Sequence, residues 1–134
     1  MKTARLIVAA AVILGSALAL HAALAQQPGL ARAELQRQDL ASAPGREAIQ
    51  LRIGFAPGVA FGRHWHPGEE LIYVVDGALE YSVDGQPTKT LQAGDTLFVP
   101  AGTIHSARNA STSKAAEVST YFLEKGKPLV VMVE

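Results

Sequence analysis

The sequence predicts an all-β domain, and three features of the chain support this. From Ala48 onward, short runs rich in Val, Ile, Leu, Tyr and Phe alternate with Gly, Pro and Asp. Short strands between such turn residues are typical of a β-sandwich or β-barrel. Asp76-Gly77 and Asp84-Gly85 are expected to form tight hairpin turns, because glycine tolerates positive φ. No segment after residue 48 shows the apolar period of a helix.

Residues 1–25 have the organisation of a cleavable secretory signal peptide. Lys2 and Arg5 form a basic head, residues 6–20 are an uncharged apolar run, and Ala23-Leu24-Ala25 places small residues just before Gln26. The alternative is an uncleaved membrane anchor, because the apolar stretch is nearly long enough to span a bilayer. Both interpretations export the remainder of the chain, so we expect a periplasmic or secreted protein. Under the first, N-terminal sequencing of the mature protein should begin at or near Gln26.

The remainder divides into an N-terminal arm at residues 26–47 and a single β domain at residues 48–134. The arm is polar and is punctuated by Pro28-Gly29 and Pro44-Gly45. Its stretch AELQRQDL could form a helical turn or a strand, and its composition does not decide between them. The charged part of the arm, residues 32–39, is most simply interpreted as a solvated segment.

Composition excludes several function classes. The chain carries 12 basic and 12 acidic residues, and the predicted cleavage removes two of the basic ones. A neutral to slightly acidic protein has no electrostatic basis for binding nucleic acid or an anionic membrane. The chain contains no cysteine, so disulfides, thiolate nucleophiles and cysteine metal sites are excluded. The small domain must therefore be stabilised by its core, by a metal or by a partner subunit.

Closely spaced histidines suggest a metal site. Residues two apart on a strand point to the same face, so His64 and His66 could bind one divalent ion together. Pro67-Gly68 then ends this strand and allows the chain to return towards the same face. A third histidine, His105, begins a later predicted strand after a Pro-x-Gly turn.

A carboxylate follows the first turn, on the apolar run ELIYVV. Glu70 is the better candidate ligand, because Ile72 and Val74 share its parity and would face the core. Glu69 would then lie on the opposite face or in the turn. No second carboxylate or lysine is clearly aimed at the site. Glu69 and Tyr81 are candidate general bases, and each is more simply explained as structural.

These residues belong to two regularly spaced motifs. The first is Gly58-x5-His64-x-His66-x3-Glu70-x6-Gly77, and the second is Gly94-x5-Pro100-x-Gly102-x2-His105-x3-Asn109. The pair resembles the two sequence motifs of the cupin superfamily, and every motif position is matched. The resemblance covers residues 49–121 and is closest to the small single-domain cupins. It implies that residues 48–134 form one small antiparallel β-barrel of jelly-roll type.

By motif position, the resemblance implies that His64, His66, Glu70 and His105 hold one divalent transition metal inside the barrel. Such nitrogen and oxygen ligands suit Mn, Fe, Ni, Zn or Cu. Cupins include dioxygenases, isomerases, decarboxylases, lyases and non-catalytic binders. We therefore expect a metal-dependent protein acting on a small organic molecule, with oxygenase-type chemistry. The alternative is a non-catalytic module that binds a metal or a small ligand in the periplasm.

A homodimer is expected, because a small barrel has sheet edges and an apolar outer face to cover. Trp65 must face away from the histidines on either side of it, and is expected to pack within the fold or against a second subunit. Trp65, Phe55 and the terminal run PLVVMVE could supply the covering surface. The alternative is a monomer whose N-terminal arm folds over the exposed edge.

Overall fold

The computed structural model describes residues 27–134, which form two antiparallel β-sheets of five strands each. The predicted signal segment at residues 1–25 and the predicted mature N-terminus at Gln26 lie outside these described residues. Within residues 27–134 the chain forms only strands, turns and irregular structure, so the all-β prediction is confirmed. No helix in the same range is long and apolar enough to cross a membrane.

Ten strands follow one another along this part of the chain. In order they are β1 (Leu30–Asp39), β2 (Arg46–Phe55), β3 (Ala60–Trp65), β4 (Glu69–Asp76), β5 (Ala78–Val83), β6 (Lys89–Gln92), β7 (Thr96–Val99), β8 (His105–Arg108), β9 (Ala115–Glu124) and β10 (Val131–Met132). The first sheet has the strand order β1-β2-β9-β4-β7, and the second has the order β10-β3-β8-β5-β6. Neighbouring strands along the chain often lie in different sheets, so the chain winds around a shared interior, as in a jelly roll.

The core lies between the two sheets and consists of alternate residues of each strand. On β4, Ile72 and Val74 are buried, whereas Leu71 and Tyr73 are exposed. The inward direction predicted for Ile72 and Val74 is confirmed, and it follows from the two-residue period of a strand. β2, β5 and β9 alternate in the same way. The most deeply buried apolar side chains also include Ile49, Phe55, Leu79, Val99 and Leu123.

The N-terminal arm forms a strand rather than a helical turn. β1 pairs with β2 along its length, with an irregularity in register next to Glu34. Leu30 is buried and Arg32 is half-buried, whereas the residues beyond Arg32 are exposed. The interpretation of residues 32–39 as solvated is therefore correct for most of the segment but wrong for Arg32, whose strand parity directs it inward.

Asn109 joins the end of β2 to the loop that follows β8. Its side-chain amide donates hydrogen bonds to the carbonyl oxygens of Phe55, Ala56 and Ser113, at 3.2, 3.3 and 2.7 Å. Its carbonyl oxygen accepts from the backbone N–H and the hydroxyl of Ser111, at 3.0 and 2.8 Å. These contacts satisfy the hydrogen-bonding groups of a fully buried amide. They also connect the end of β2, in the first sheet, to the segment that follows β8, in the second sheet.

The two predicted aspartate-glycine turns differ. Gly85 lies between β5 and β6, which pair with each other, so the hairpin prediction there is confirmed. Gly77 lies between β4 and β5, which belong to different sheets, so the hairpin prediction there is wrong. Both have positive φ, of +67° at Gly77 and +79° at Gly85. A Cβ at Gly77 would lie 2.7 Å from the carbonyl oxygen of Lys114, whereas a Cβ at Gly85 would meet nothing within 4 Å.

Gly77→Ala should destabilise the protein more than Gly85→Ala. Each substitution forces an L-residue to positive φ, at a cost of about 1–2 kcal/mol. Only Gly77→Ala also drives a methyl group into the backbone at Lys114 and Ala115, which adds a packing cost. Urea unfolding measures the two free energies, with Gly85→Ala as the matched control. Equal unfolding midpoints would contradict the close approach of the chain at Gly77.

Candidate metal centre

The four residues singled out by the motifs lie together inside the barrel. His64 lies on β3 and His105 begins β8, and strand pairing places these two residues opposite each other. His66 comes directly after β3, and Glu70 is the second residue of β4, in the other sheet. The cluster therefore joins the two sheets, and each of its residues is at most 3% exposed.

The donor atoms of this cluster are close enough to share one ion. One ring nitrogen from each of His64, His66 and His105 lies within 4.8 Å of the others. Glu70 Oε2 lies 3.0 Å from His105 Nε2 and 3.2 Å from His66 Nε2. Donors bound to one transition metal at about 2.0–2.2 Å are separated by at most roughly twice that distance. Only a small contraction of the three histidines is needed to bring their ring nitrogens to such distances.

Each imidazole ring is oriented by a hydrogen bond between its Nδ1 atom and the backbone. The Nδ1 atoms of His64, His66 and His105 lie 2.7, 2.6 and 3.0 Å from the backbone carbonyl oxygens of Gly62, Leu129 and Thr103, respectively. A carbonyl oxygen can only accept, so each Nδ1 carries a proton and donates it. The nitrogen available to a metal is therefore Nε2, and the backbone hydrogen bond holds each ring in place.

The cluster leaves one buried nitrogen without a partner. His66 Nε2 approaches Glu70 without hydrogen-bond geometry, and no other group within the described chain bonds to it. An unpartnered buried polar atom costs about 1–3 kcal/mol. A divalent cation would satisfy this nitrogen together with the lone pairs of the other donors. The three histidines and the carboxylate therefore fit a transition metal, and this donor set suits Mn, Fe, Ni, Zn or Cu.

Burial and charge determine the protonation states of the cluster. Burial, aided by the nearby His105, lowers the pKa of His64 to about 3, so this imidazole is neutral at physiological pH. Burial alone would lower the pKa of His105, but the hydrogen bond and negative charge of Glu70, together with the hydrogen bond to Thr103, outweigh burial and raise it. Burial alone would raise the pKa of Glu70, yet the adjacent His105 and His66 hold it below its usual value. In the metal-free protein, a proton held between His105 and Glu70 therefore supplies the positive charge next to the carboxylate.

His64, Glu70 and His105 line an interior cavity with a volume of about 40 Å³. The sequence interpretation missed polar residues that line the same cavity. Glu117 lies in its wall and is 4% exposed, so the expectation that no second carboxylate faces the site is wrong. Arg32 and Tyr121 also line the cavity. The period of β9 contains the signal for two of them, because Glu117 and Tyr121 share the inward parity of the buried Leu123.

Burial favours the neutral forms of two of these residues. Burial, with the charge of Glu70, raises the pKa of Glu117 well above that of an ordinary carboxyl group. The same two causes raise the pKa of Tyr121, whose ring lies 4.8 Å from that of His66 between centroids. A protonated carboxyl and a phenol can both donate hydrogen bonds within the cavity.

The two candidate general bases lie in different places. Glu69 faces away from the cavity and forms an ion pair with Arg46 at 2.6 Å, so it has a structural contact and no route to the site. Tyr81 lines the cavity and is 2% exposed. Its hydroxyl has no hydrogen-bond partner within residues 27–134. Of these two residues, only Tyr81 could contact a bound molecule.

Comparison with known families and curated proteins gives several similarities. Residues 51–124 match the family described as Cupin domain. A germin-like protein of Arabidopsis thaliana, subfamily 2 member 2, is 33% identical over 86 residues, which cover 58% of this chain and 39% of the relative. The dimethylsulfoniopropionate lyase DddQ of Ruegeria pomeroyi is 35% identical over 63 residues, covering 46% of this chain and 31% of the lyase. The chain thus spans well under half the length of these curated relatives.

Solved structures extend the similarity to the fold. Oxalate oxidase in complex with the substrate analogue glycolate has a TM-score of 0.63 and 28% identity, covering 80% of this chain and 57% of the oxidase. A double-stranded β-helix protein of Klebsiella pneumoniae has a TM-score of 0.66 and 19% identity, covering 81% of this chain and 88% of that protein. The second similarity concerns the fold alone, and it supports the jelly-roll prediction.

Metal affinity should fall as the pH decreases, over a pH range set by the pKa of His105. Glu70 raises the pKa of His105 above its ordinary value of 6.5, so a metal must displace a proton from this ring. The affinity should therefore begin to fall at a pH above 6.5 and continue to fall below it. His64 contributes nothing in this range, because its pKa is about 3. Competition for Zn²⁺ with a chelator, between about pH 5 and 9, measures this profile.

Glu70→Gln tests the cause of that profile. The substitution should weaken binding at alkaline pH because it removes a charged donor. It should also move the fall in affinity to lower pH, because burial then controls the pKa of His105. Glu69→Gln is the control and should leave the profile unchanged, since Glu69 pairs with Arg46 outside the cavity. Identical profiles for Glu70→Gln and wild type would contradict the coupling between Glu70 and His105.

Proposed function

The chain belongs to the cupin family, and on that premise we propose that it is an exported, metal-dependent enzyme that acts on a small organic acid by oxygenase-type chemistry. One observation carries the proposal. Three histidines lie together with the carboxylate of Glu70. Of these four residues, His64, Glu70 and His105 line a small interior cavity that is also lined by Glu117 and Arg32. Such a cavity combines a fit for a metal with polar groups that could hold a ligand.

The residues of this chain would divide the work as follows. His64, His66, Glu70 and His105 would hold the ion, which when bound would polarise a coordinated oxygen and, if redox-active, exchange electrons with dioxygen. Arg32 would attract an anionic substrate into the barrel. The apolar wall of the cavity would exclude bulk water, which strengthens every polar contact inside it. That wall consists of Leu51, Ile53, Phe55, Phe61, Ala107, Leu129 and Val130.

The size of the cavity and the similarity to oxalate oxidase support a small acid. A volume of about 40 Å³ accommodates only a few water molecules or a ligand of a few heavy atoms. The oxidase with 28% identity was solved with glycolate, a substrate analogue. A half-buried Arg32 that lines the same cavity as the candidate metal site favours an anion over a neutral molecule of the same size.

The alternative is a non-catalytic module that binds a metal or a small ligand in the periplasm. The small volume of the cavity favours this reading, because a substrate must fit beside the donors with little space to spare. Export itself is a proposal that rests on residues 1–25, through the basic head, the apolar run and the Ala-Leu-Ala step.

We also propose that the protein is a homodimer, through a surface other than the one first expected. Phe55 is 2% exposed and belongs to the chain's own core, so its predicted part in that surface is wrong. The terminal run forms β10, which pairs with β3 and covers an edge of its own sheet. Leu71, Tyr73 and Phe98 are instead 46%, 47% and 56% exposed on the outer face of the first sheet. Leu71 is opposite Phe98 across β4 and the edge strand β7, so these side chains form one apolar patch.

Turnover is the test of the enzyme proposal. The protein loaded in turn with Mn, Fe, Ni, Cu and Zn is offered small carboxylic acids, then phenols and diketones, while dioxygen uptake is followed. We expect uptake with a redox-active metal and none with Zn²⁺. Glu70→Gln should depress turnover even in protein that retains its metal, whereas Glu69→Gln should not. Absence of turnover with every metal, together with reproducible binding of a small ligand, would favour the binding module.

Light scattering during size exclusion tests the dimer. The mature protein at micromolar concentration should have twice the mass of one chain, and Phe98→Glu should reduce it to the mass of one chain, because a charge cannot be buried unpaired in an apolar interface. Leu35→Glu is the matched control. Leu35 is 50% exposed on β1, away from the patch, so this variant should remain dimeric. A wild-type mass of a single chain would contradict the proposal.

A further inference from the structure

A second layer of inward residues lies beside the histidine layer within the barrel. In the second sheet, His64 is opposite His105, and two residues further along β8 Ala107 is opposite both Phe61 and Tyr81. Two residues along a strand correspond to about 7 Å. The second layer is therefore close enough for a molecule of a few heavy atoms to contact both layers.

The first sheet contributes a matching row of residues. Ile53 is opposite Arg32 on one side and Glu117 on the other. The Arg32 guanidinium carbon lies 4.6 Å from the centroid of the Phe61 ring, which belongs to the second sheet. This contact joins the two rows across the interior, so Arg32, Glu117 and Tyr81 lie in one layer and line one cavity.

Two buried polar atoms of this layer have no partner in the described part of the chain. Glu117 Oε1 accepts a hydrogen bond from the Ser119 hydroxyl at 3.4 Å, while Glu117 Oε2 is unpartnered. The Tyr81 hydroxyl is also unpartnered. Buried polar groups are almost always hydrogen-bonded, and an exception in a cavity wall indicates a position for a bound molecule. Both side chains are at least nine-tenths buried, so solvent does not satisfy them.

The charges of these groups indicate what that molecule is. Arg32 keeps its positive charge, although burial lowers its pKa. Burial and the charge of Glu70 raise the pKa of Glu117, which favours its protonated carboxyl group, and that group is a neutral hydrogen-bond donor. Tyr81 adds a third donor. A cation and two neutral donors together match a carboxylate, whose two oxygens accept several hydrogen bonds.

We propose that Arg32, Glu117 and Tyr81 form a second binding subsite that holds the carboxylate of a small acid, while the other end of the acid reaches the histidine cluster. The inference rests on the proposed function, because it takes the ligand of the cavity to be a small organic acid. It adds where the carboxylate of that acid lies and assigns three residues outside the metal cluster to its recognition.

Calorimetric titration with glycolate tests the subsite, in metal-free protein and in protein loaded with Zn²⁺. Wild type should bind glycolate at least tenfold more tightly than the neutral glycolamide. Arg32→Gln and Glu117→Leu should each weaken glycolate binding at least tenfold, and Tyr81→Phe should weaken it measurably. Arg52→Gln is the matched control, because Arg52 is exposed on the outer face of β2 and should leave the affinity unchanged. Glu117→Leu replaces a partly unsatisfied buried group with an apolar one, so it should keep the melting temperature at or above that of wild type.

Several outcomes would overturn the subsite: no binding of glycolate by wild type, equal binding of glycolamide, or wild-type affinity in both Arg32→Gln and Glu117→Leu. The metal-free arm separates this inference from the proposed function. Loss of glycolate binding in the variants supports the subsite even where no metal gives turnover. Turnover of small acids by a loaded protein that is unaffected by these variants would support the function and refute the subsite.

Discussion

The structure depends on one electrostatic constraint, which is that a carboxylate and three imidazoles share the interior of a small apolar barrel. An unpaired buried charge costs several kcal/mol, and Glu70 has His105 and His66 as its close charged or chargeable neighbours. The proton in the hydrogen bond between Glu70 and His105 offsets part of the cost of burying the carboxylate. A divalent cation would offset more of it, because it would also bind the unpartnered Nε2 of His66.

The backbone of the fold serves this cluster. Pairing of β3 with β8 sets His64 against His105, while β4 supplies Glu70 from the opposite sheet. Backbone carbonyl oxygens of the surrounding segments accept hydrogen bonds from the Nδ1 atoms of the three rings. Closing the sheets at their ends requires the turn at Gly77, where only a glycine avoids the backbone at Lys114. Donors placed by strand pairing and turns are fixed before any metal arrives, so binding needs little rearrangement.

Local sequence patterns predicted much of this arrangement, and they failed where tertiary contacts decide. The period of two directed Ile72 and Val74 inward, and motif spacing singled out the four clustered residues. Strand pairing between distant segments was not readable, so Asp76-Gly77 was mistaken for a hairpin although its flanking strands belong to different sheets. Arg32 was taken as solvated because nothing local shows that β1 is directed towards Phe61. Glu117 has the inward parity of Leu123 on β9, but only the pairing of β9 with β2, which is remote in sequence, brings it into the wall of the cavity.

X-ray absorption spectroscopy of the mature protein purified from its own host would determine whether the histidine cluster holds a metal. We expect one transition metal per chain, with a shell of nitrogen and oxygen donors at about 2.0–2.2 Å. We also expect outer-shell scattering from three imidazoles, which should fall to two in His105→Ala. Metal-free protein, or a metal whose spectrum shows fewer than three histidines in the wild type, would contradict a metal site built from this cluster.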